Sequence, residues 1–286
     1  MVDRTRRSLL LLILLVGACR PARPDDALRS IATAPIASTG PIARRFLATP
    51  GFSWHSFGSR HIRLHLSGDM ATGRARELAD SAEAARSAAL ALIGEPDSAD
   101  DPPLELVLVE TREDMRRLVG RPVAGSGFPD ELTVVIVAGA GFRTFFRHEL
   151  THSYVARRWG ERLAGSWMDE GLAARATGPC QGHSFDAVAA GYAARGDAPT
   201  LDALTGDFYA LPELPAYFTA ASLIDFLQRR EGVATLRSLW RGERAGVDET
   251  HPLGAQTHEL ELEWHRKLSN VPPAVLDTAR LRREGC

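Results

Sequence analysis

Residues 147–160 read RHELTHSYVARRWG. Two histidines, His148 and His152, stand four residues apart, with Glu149 beside the first. In an α-helix, residues i and i+4 share a face one turn apart, so both imidazoles can turn toward one point. Glu149 is rotated from His148 by about 100° and can approach whatever the pair holds without joining it as a ligand. Leu150 and Tyr154 fall on roughly the opposite side, where they can pack. The helix is expected over roughly 142–159, with Gly160 as its stop signal.

Working toward the N-terminus, LTVVIVAG (132–139) is an apolar run suited to a well-covered strand, and LELVLVE (104–110) is another strand. HIRLHLSG (61–68) alternates apolar and polar residues as a half-buried strand should. Between these, Ala71 to Ile93 is rich in Ala, Leu, Glu and Arg and predicts a long helix ending before Gly94 and Pro96. Thr111 to Val119 predicts a short helix, with TRED as its capping box. Toward the C-terminus the strand signals stop after Gly171. FDAVAAGYAARG, AYFTAASLIDFLQRREG, VATLRSLWRG and THELELEWHRKLSN all predict helices. The expected class is α+β, a mixed α/β first half followed by a helical second half with no internal repeat.

Two imidazoles on one helix face with an adjacent carboxylate are what zinc-assisted hydrolysis requires. Zinc lowers the pKa of a bound water to about 7, and the nearby carboxylate can take its proton. In a chain with nine histidines the bare pattern is only moderately specific, so context decides. A catalytic zinc needs three protein ligands and an open position. The third candidate is Glu170, 18 residues after His152 in GSWMDEGLAARATG (165–178). Asp169 beside it can cap the helix expected to start near Glu170 or hydrogen-bond a ligating histidine, and the cap is the preferred reading.

HELTH followed by W-x-x-EGLA resembles the gluzincin metallopeptidases, particularly the aminopeptidase N-like group and bacterial peptidase-MA-like domains. The resemblance implies a thermolysin-like zincin, with a small mixed sheet packed on the His-Glu-x-x-His helix. It implies zinc held by His148, His152 and Glu170, with Glu149 as general base. AYFTAASLIDFL (216–227) resembles the family stretch whose tyrosine stabilises the tetrahedral intermediate, which makes Tyr217 the expected oxyanion donor. His183, in CQGHSF, competes for that task. On family analogy, the strand at 132–138 pairs with an extended peptide substrate. GVATLRSLWRG and HELELEWHRKL resemble the C-terminal helices of peptidase-MA-like domains, so the likeness spans 104–268. The chain has no GxMEN motif and is far shorter than the full aminopeptidases. The resemblance therefore supports peptidase chemistry and not aminopeptidase specificity.

The ends carry a different message. MVDRTRRS is a basic n-region, and the ten apolar residues of LLLLILLVGA are too short to span a bilayer as a helix. LVGAC places small residues before Cys19 and resembles a bacterial lipobox, which implies cleavage of 1–18 and lipidation of Cys19. An ordinary signal peptide with an incidental cysteine is the alternative, and TRRSLLL also resembles a twin-arginine signal. Residues 19–50, rich in Pro, Ala, Arg and Ser, are expected to tether the lipid to a domain at 51–286, itself divided into 51–160 and 161–286. With Cys19 lipidated, Cys180 and Cys286 remain, either as a disulfide in an oxidising compartment or as two independent thiols.

A formal charge of −2 over 286 residues leaves no basic field for nucleic acid. His251, His258 and His265 recur every seven residues, but Pro252 and Gly254 interrupt any helix at the first, so they are expected to be surface or packing residues. The expectation is a zinc peptidase of the bacterial envelope, lipid-anchored and acting on a peptide or protein substrate. The rival is a non-catalytic lipoprotein that uses the peptidase fold as a binding scaffold.

Overall fold

Two apolar strands with both faces covered form the centre of the molecule: β4 (Leu104–Val109) and β6 (Thr133–Val137). The computed structural model describes residues 29–30, 40–68, 72–98, 101–139, 142–248 and 250–284. The sheet has six strands in the order β1-β2-β3-β4-β6-β5. The remaining strands are β1 (Arg29–Ser30), β2 (Trp54–Gly58), β3 (Ile62–Ser67) and β5 (Gly125–Phe128). β3, β4 and β6 run parallel, while β1, β2 and β5 pair antiparallel with their neighbours, so the sheet is mixed.

The parallel pairs need helical crossovers. α2 (Ala75–Leu92) connects β3 to β4, and α3 (Arg112–Val119) leaves β4 on the way to β6. The two helices cover opposite faces, because successive strand residues point to opposite sides. Leu64, Leu106 and Val134 face α2 and α4 (Phe142–Trp159) in the larger core. Val107, Val109 and Val135 face α3 and α1 (Pro41–Leu47), with Phe46 and Met115 in a smaller one. α3 begins in the expected capping box. The Thr111 hydroxyl accepts from the Asp114 amide at 3.0 Å, and Asp114 accepts from the Thr111 amide at 3.2 Å.

The second half is helical. It comprises α5 (Ser166–Ala176), α6 (Phe185–Ala194), α7 (Leu201–Thr205), α8 (Glu213–Glu231), α9 (Val233–Trp240), α10 (Thr257–Ser269) and α11 (Thr278–Glu284). α8 is buried almost all round from Phe218 to Leu227 and forms the hub on which α5, α6 and α9 pack. Gly171 makes the α5–α8 contact close: a Cβ there would lie 3.1 Å from the backbone of Ala220. The molecule is thus α+β, with the described strands confined to the first half.

Three expectations change. The domain begins before residue 51, because α1 lies within the expected tether and Phe46 is fully buried under the sheet. β3 is covered on both faces, since the side carrying its polar residues pairs them inward. β6 cannot receive a substrate strand, because β4 and β5 occupy both of its edges. Residues 1–18 and Cys19 lie outside the described residues, as does nearly all of 19–39. No described helix is long and apolar enough to cross a membrane.

Candidate metal centre

α4 is held in register by its apolar side. Phe146, Leu150, Val155 and Trp159 are buried against the sheet and neighbouring helices. Tyr154 joins them, its hydroxyl accepting from Arg86 Nε at 2.9 Å. Arg86 in turn pairs with Asp97 at 2.7 Å and Asp101 at 3.1 Å, and Arg158 reaches the same Asp101 oxygen. With that face fixed, His148 and His152 emerge toward α5. Gly160 ends α4 at a positive φ of 82°, where glycine carries no steric penalty.

α5 starts at Ser166, earlier than expected, and presents Glu170 to the pair. The two Nε2 atoms are 3.1 Å apart, and Glu170 Oε2 lies 3.1 Å from His148 and 3.4 Å from His152. Two imidazole nitrogens aimed at each other satisfy one another only with a proton or a cation between them. Ligands about 2.0–2.1 Å from a tetrahedral zinc stand about 3.3 Å from one another. The donor set therefore fits such an ion, and His148, His152 and Glu170 could hold a metal.

Asp169 corrects the expectation for it. The α5 N-cap is Gly165, and no side chain caps that end. Asp169 instead accepts from His152 Nδ1 at 2.6 Å, which fixes the tautomer that leaves Nε2 free to ligate. Arg162, which the sequence reading did not single out, donates to the other Asp169 oxygen at 2.8 Å. Burial disfavours charge on His152, but the bonds to Asp169 and Glu170 outweigh it and push its pKa up to about 10. Burial likewise acts to raise Glu170, and the contacts from both histidines overcome it and hold the carboxyl well below the usual range.

Two tyrosines flank the cluster. The ring of Tyr217 stacks on His148 with centroids 5.9 Å apart and rests on Phe208 at 5.4 Å. Burial, reinforced by the charge of Glu170, raises its phenol far above the ordinary value. Tyr209 was missed: it sits in a short turn with no periodicity to mark it. Although the residue is 63 % exposed, its hydroxyl donates to Glu170 Oε1 at 2.8 Å, and loss of water around that hydroxyl followed by the Glu170 charge pushes it up to about 12.

The Glu149 carboxylate accepts no hydrogen bond or ion pair from any described side chain, although its backbone carbonyl accepts from the Ser153 hydroxyl at 3.2 Å. It lies along β5, whose glycines make room for it: a Cβ on Gly125 would come within 2.8 Å of Glu149 Cγ and 2.9 Å of its Oε1. His148, Glu149 and Tyr217 line a groove of about 660 Å³ walled by Val123–Gly125, Phe145 and the start of α8. The outer edge of β5, rather than either edge of β6, is free of any described strand.

The other sequence candidates lie elsewhere. His183 forms a small bridge with Cys180 and does not line the groove. His251, His258 and His265 are exposed. Cys180 is fully buried and disulfide-bonded; Cys286, whose pairing with it the sequence leaves open, lies outside the described residues. The start of α11 packs beside Cys180: Gln181 bonds the backbone of Asp277 in both directions at 2.9 Å, and Leu281 is buried in the Cys180 cluster. No protein-family model matches the chain, and no curated protein matches it.

Proposed function

We propose that the chain is a zinc-dependent peptidase with a thermolysin-like arrangement of sheet, active helix and ligand-bearing second helix. The observation that carries this reading is the triangle of donor atoms at 3.1, 3.1 and 3.4 Å, set beside a groove that also holds Glu149. A zinc ion bound by His148, His152 and Glu170 supplies a Lewis acid and an activated water.

The protein's residues do the rest. Asp169 holds His152 in its ligating tautomer. Glu149, unpaired among the described side chains, acts as general base and then passes its proton to the leaving amine. Tyr217 keeps its proton at neutral pH, since burial and Glu170 both oppose phenolate, and donates to the developing oxyanion. The open edge of β5 offers backbone groups to an extended peptide. The rest of the proposal concerns place: the pattern of residues 1–19 supports export and attachment at the bacterial envelope through a lipid on Cys19.

The deciding experiment uses the chain expressed from residue 25, measured for zinc by elemental mass spectrometry and for cleavage against a peptide pool. About one zinc per chain is expected, lost when both His148 and His152 are replaced by alanine. A folded parent that refuses added zinc overturns the reading. A loaded parent that cuts nothing restricts the chain to binding.

A further inference from the structure

Arg112 is the first residue of α3, directly after the Thr111 cap. A cation is badly placed there, because a helix N-terminus already carries partial positive charge. The other α3 arginines are neutralised within the helix. Arg116 binds Glu113 at 2.5 and 2.8 Å, and Arg117 pairs with Asp114 at 3.5 Å. Arg112 pairs with no described carboxylate. Its Nη1 donates to the Pro122 carbonyl at 2.9 Å, which anchors the guanidinium beside the strand leading into β5. From there Arg112 lines the same groove as His148, Glu149 and Tyr217. It is the one arginine or lysine among the groove's described lining residues; the acidic groups there are Glu149 and Glu213, the latter at the start of α8.

We infer that Arg112 recognises a carboxylate on the substrate, away from the scissile bond, and so makes the groove selective for peptides that present a carboxylate at that position. The inference rests on the peptidase reading of this groove and names its substrate class. A guanidinium tethered by one nitrogen keeps its remaining N–H groups for a paired, charge-assisted contact. Glu213 and Glu149 repel a carboxylate from the rest of the groove, so the acidic residue is expected at one side of the cleaved bond only. Two sources present this group, an aspartate or glutamate side chain and the terminal carboxylate of a short peptide.

The test uses quenched fluorescent octapeptides in matched pairs, scanned along the sequence: aspartate against asparagine, and free against amidated C-terminus. The zinc-loaded parent is expected to favour the charged member of one pair by about tenfold in kcat/KM. The pair that shows the ratio identifies the source. Arg112→Gln should bring that ratio close to one, and Arg112→Glu should invert it. Melting temperature and zinc content are measured on each variant to exclude an effect through folding. A parental ratio near one in every pair, or a ratio that survives Arg112→Glu, overturns the inference while leaving the peptidase intact. If the parent cuts no peptide, the peptidase reading falls and Arg112 is judged on binding of the same pairs by fluorescence anisotropy. The same tenfold preference and its inversion then support the inference; equal affinities, or no binding, overturn it.

Discussion

His65 and His148 both hydrogen-bond a glutamate, one inside the sheet and the other between two helices. His65 has no exposed surface. Its Nε2 donates to Glu105 at 2.7 Å and its Nδ1 accepts from the Ser56 hydroxyl at 2.8 Å, while Arg63 donates to the other Glu105 oxygen at 2.9 Å. Each of these bonds joins neighbouring strands, from β2 to β3 and from β3 to β4. At His148 the pairing is of another kind, because two nitrogens of the same type converge with a carboxylate and the cluster borders a groove. A histidine beside a glutamate is thus not itself a sign of function. Convergence of like donors beside open space is the distinguishing feature, since one bound cation would satisfy all of them at once.

The contrast can be broken most decisively at Glu149. Glu149→Gln is expected to keep one zinc and lose about 10³-fold in peptide cleavage, read by mass spectrometry of the products. Parental rates in that variant would remove the base assignment. The closed cluster should behave in the opposite way. Glu105→Ala takes the Nε2 acceptor from the buried His65 imidazole and should cost about 1–3 kcal/mol in urea unfolding, with zinc stoichiometry unchanged in the folded fraction. Loss of zinc without loss of stability would show that the two clusters had been assigned the wrong way round.

Smaller effects sharpen the picture. Gly125→Ala puts a methyl group against Glu149 and should lower cleavage by about 10²-fold with zinc retained, which steady-state kinetics would detect. Asp169→Asn should weaken zinc by about 10–100-fold in a chelator competition, because the ligating tautomer of His152 is no longer enforced. The smallest effect concerns a second closed pair. Glu83 accepts from the Ser59 hydroxyl at 2.7 Å, the His61 amide at 2.8 Å and the His61 ring at 2.9 Å. Burial acts to raise its pKa, and these bonds overcome it and leave the value lowered. A lowered carboxyl stabilises the fold above its unfolded pKa and loses that contribution as pH falls through its folded one. Glu83→Gln should therefore cost about 1 kcal/mol at neutral pH, and the gap to the parent should close in acid. A gap independent of pH would mean that charge is not what Glu83 contributes.

Long periodic segments were legible in the sequence because their signals are local. α2, α3, α4, α8 and α10 follow from spacing, caps and glycine stops, and β4 and β6 from continuous apolar runs. The short strands were not. β5 is Gly-Ser-Gly-Phe, with glycines that weaken any propensity, and it exists because β6 pairs with it and Glu149 fills the space above it. α1 was hidden in a Pro- and Ala-rich stretch and owes its place to Phe46 beneath the sheet. At the site, Glu170 was readable from its spacing to the histidine pair, whereas Tyr209 was not, since nothing in its own turn points to a carboxylate 39 residues earlier.

By itself the sequence determined the class of the fold, the helix that carries His148 and His152, and the three residues that can meet at a metal. Helical spacing alone puts two side chains on one face, so that much needs no knowledge of the rest of the chain. Tertiary structure decided which histidines are closed and which converge, whether Asp169 caps a helix or bonds the His152 ring, and which strand borders the groove. Those outcomes depend on atoms distant in sequence arriving within about 3 Å of one another. Such distances are set by how helices and strands pack, as where Gly171 lets α5 close on α8, and no local pattern encodes them.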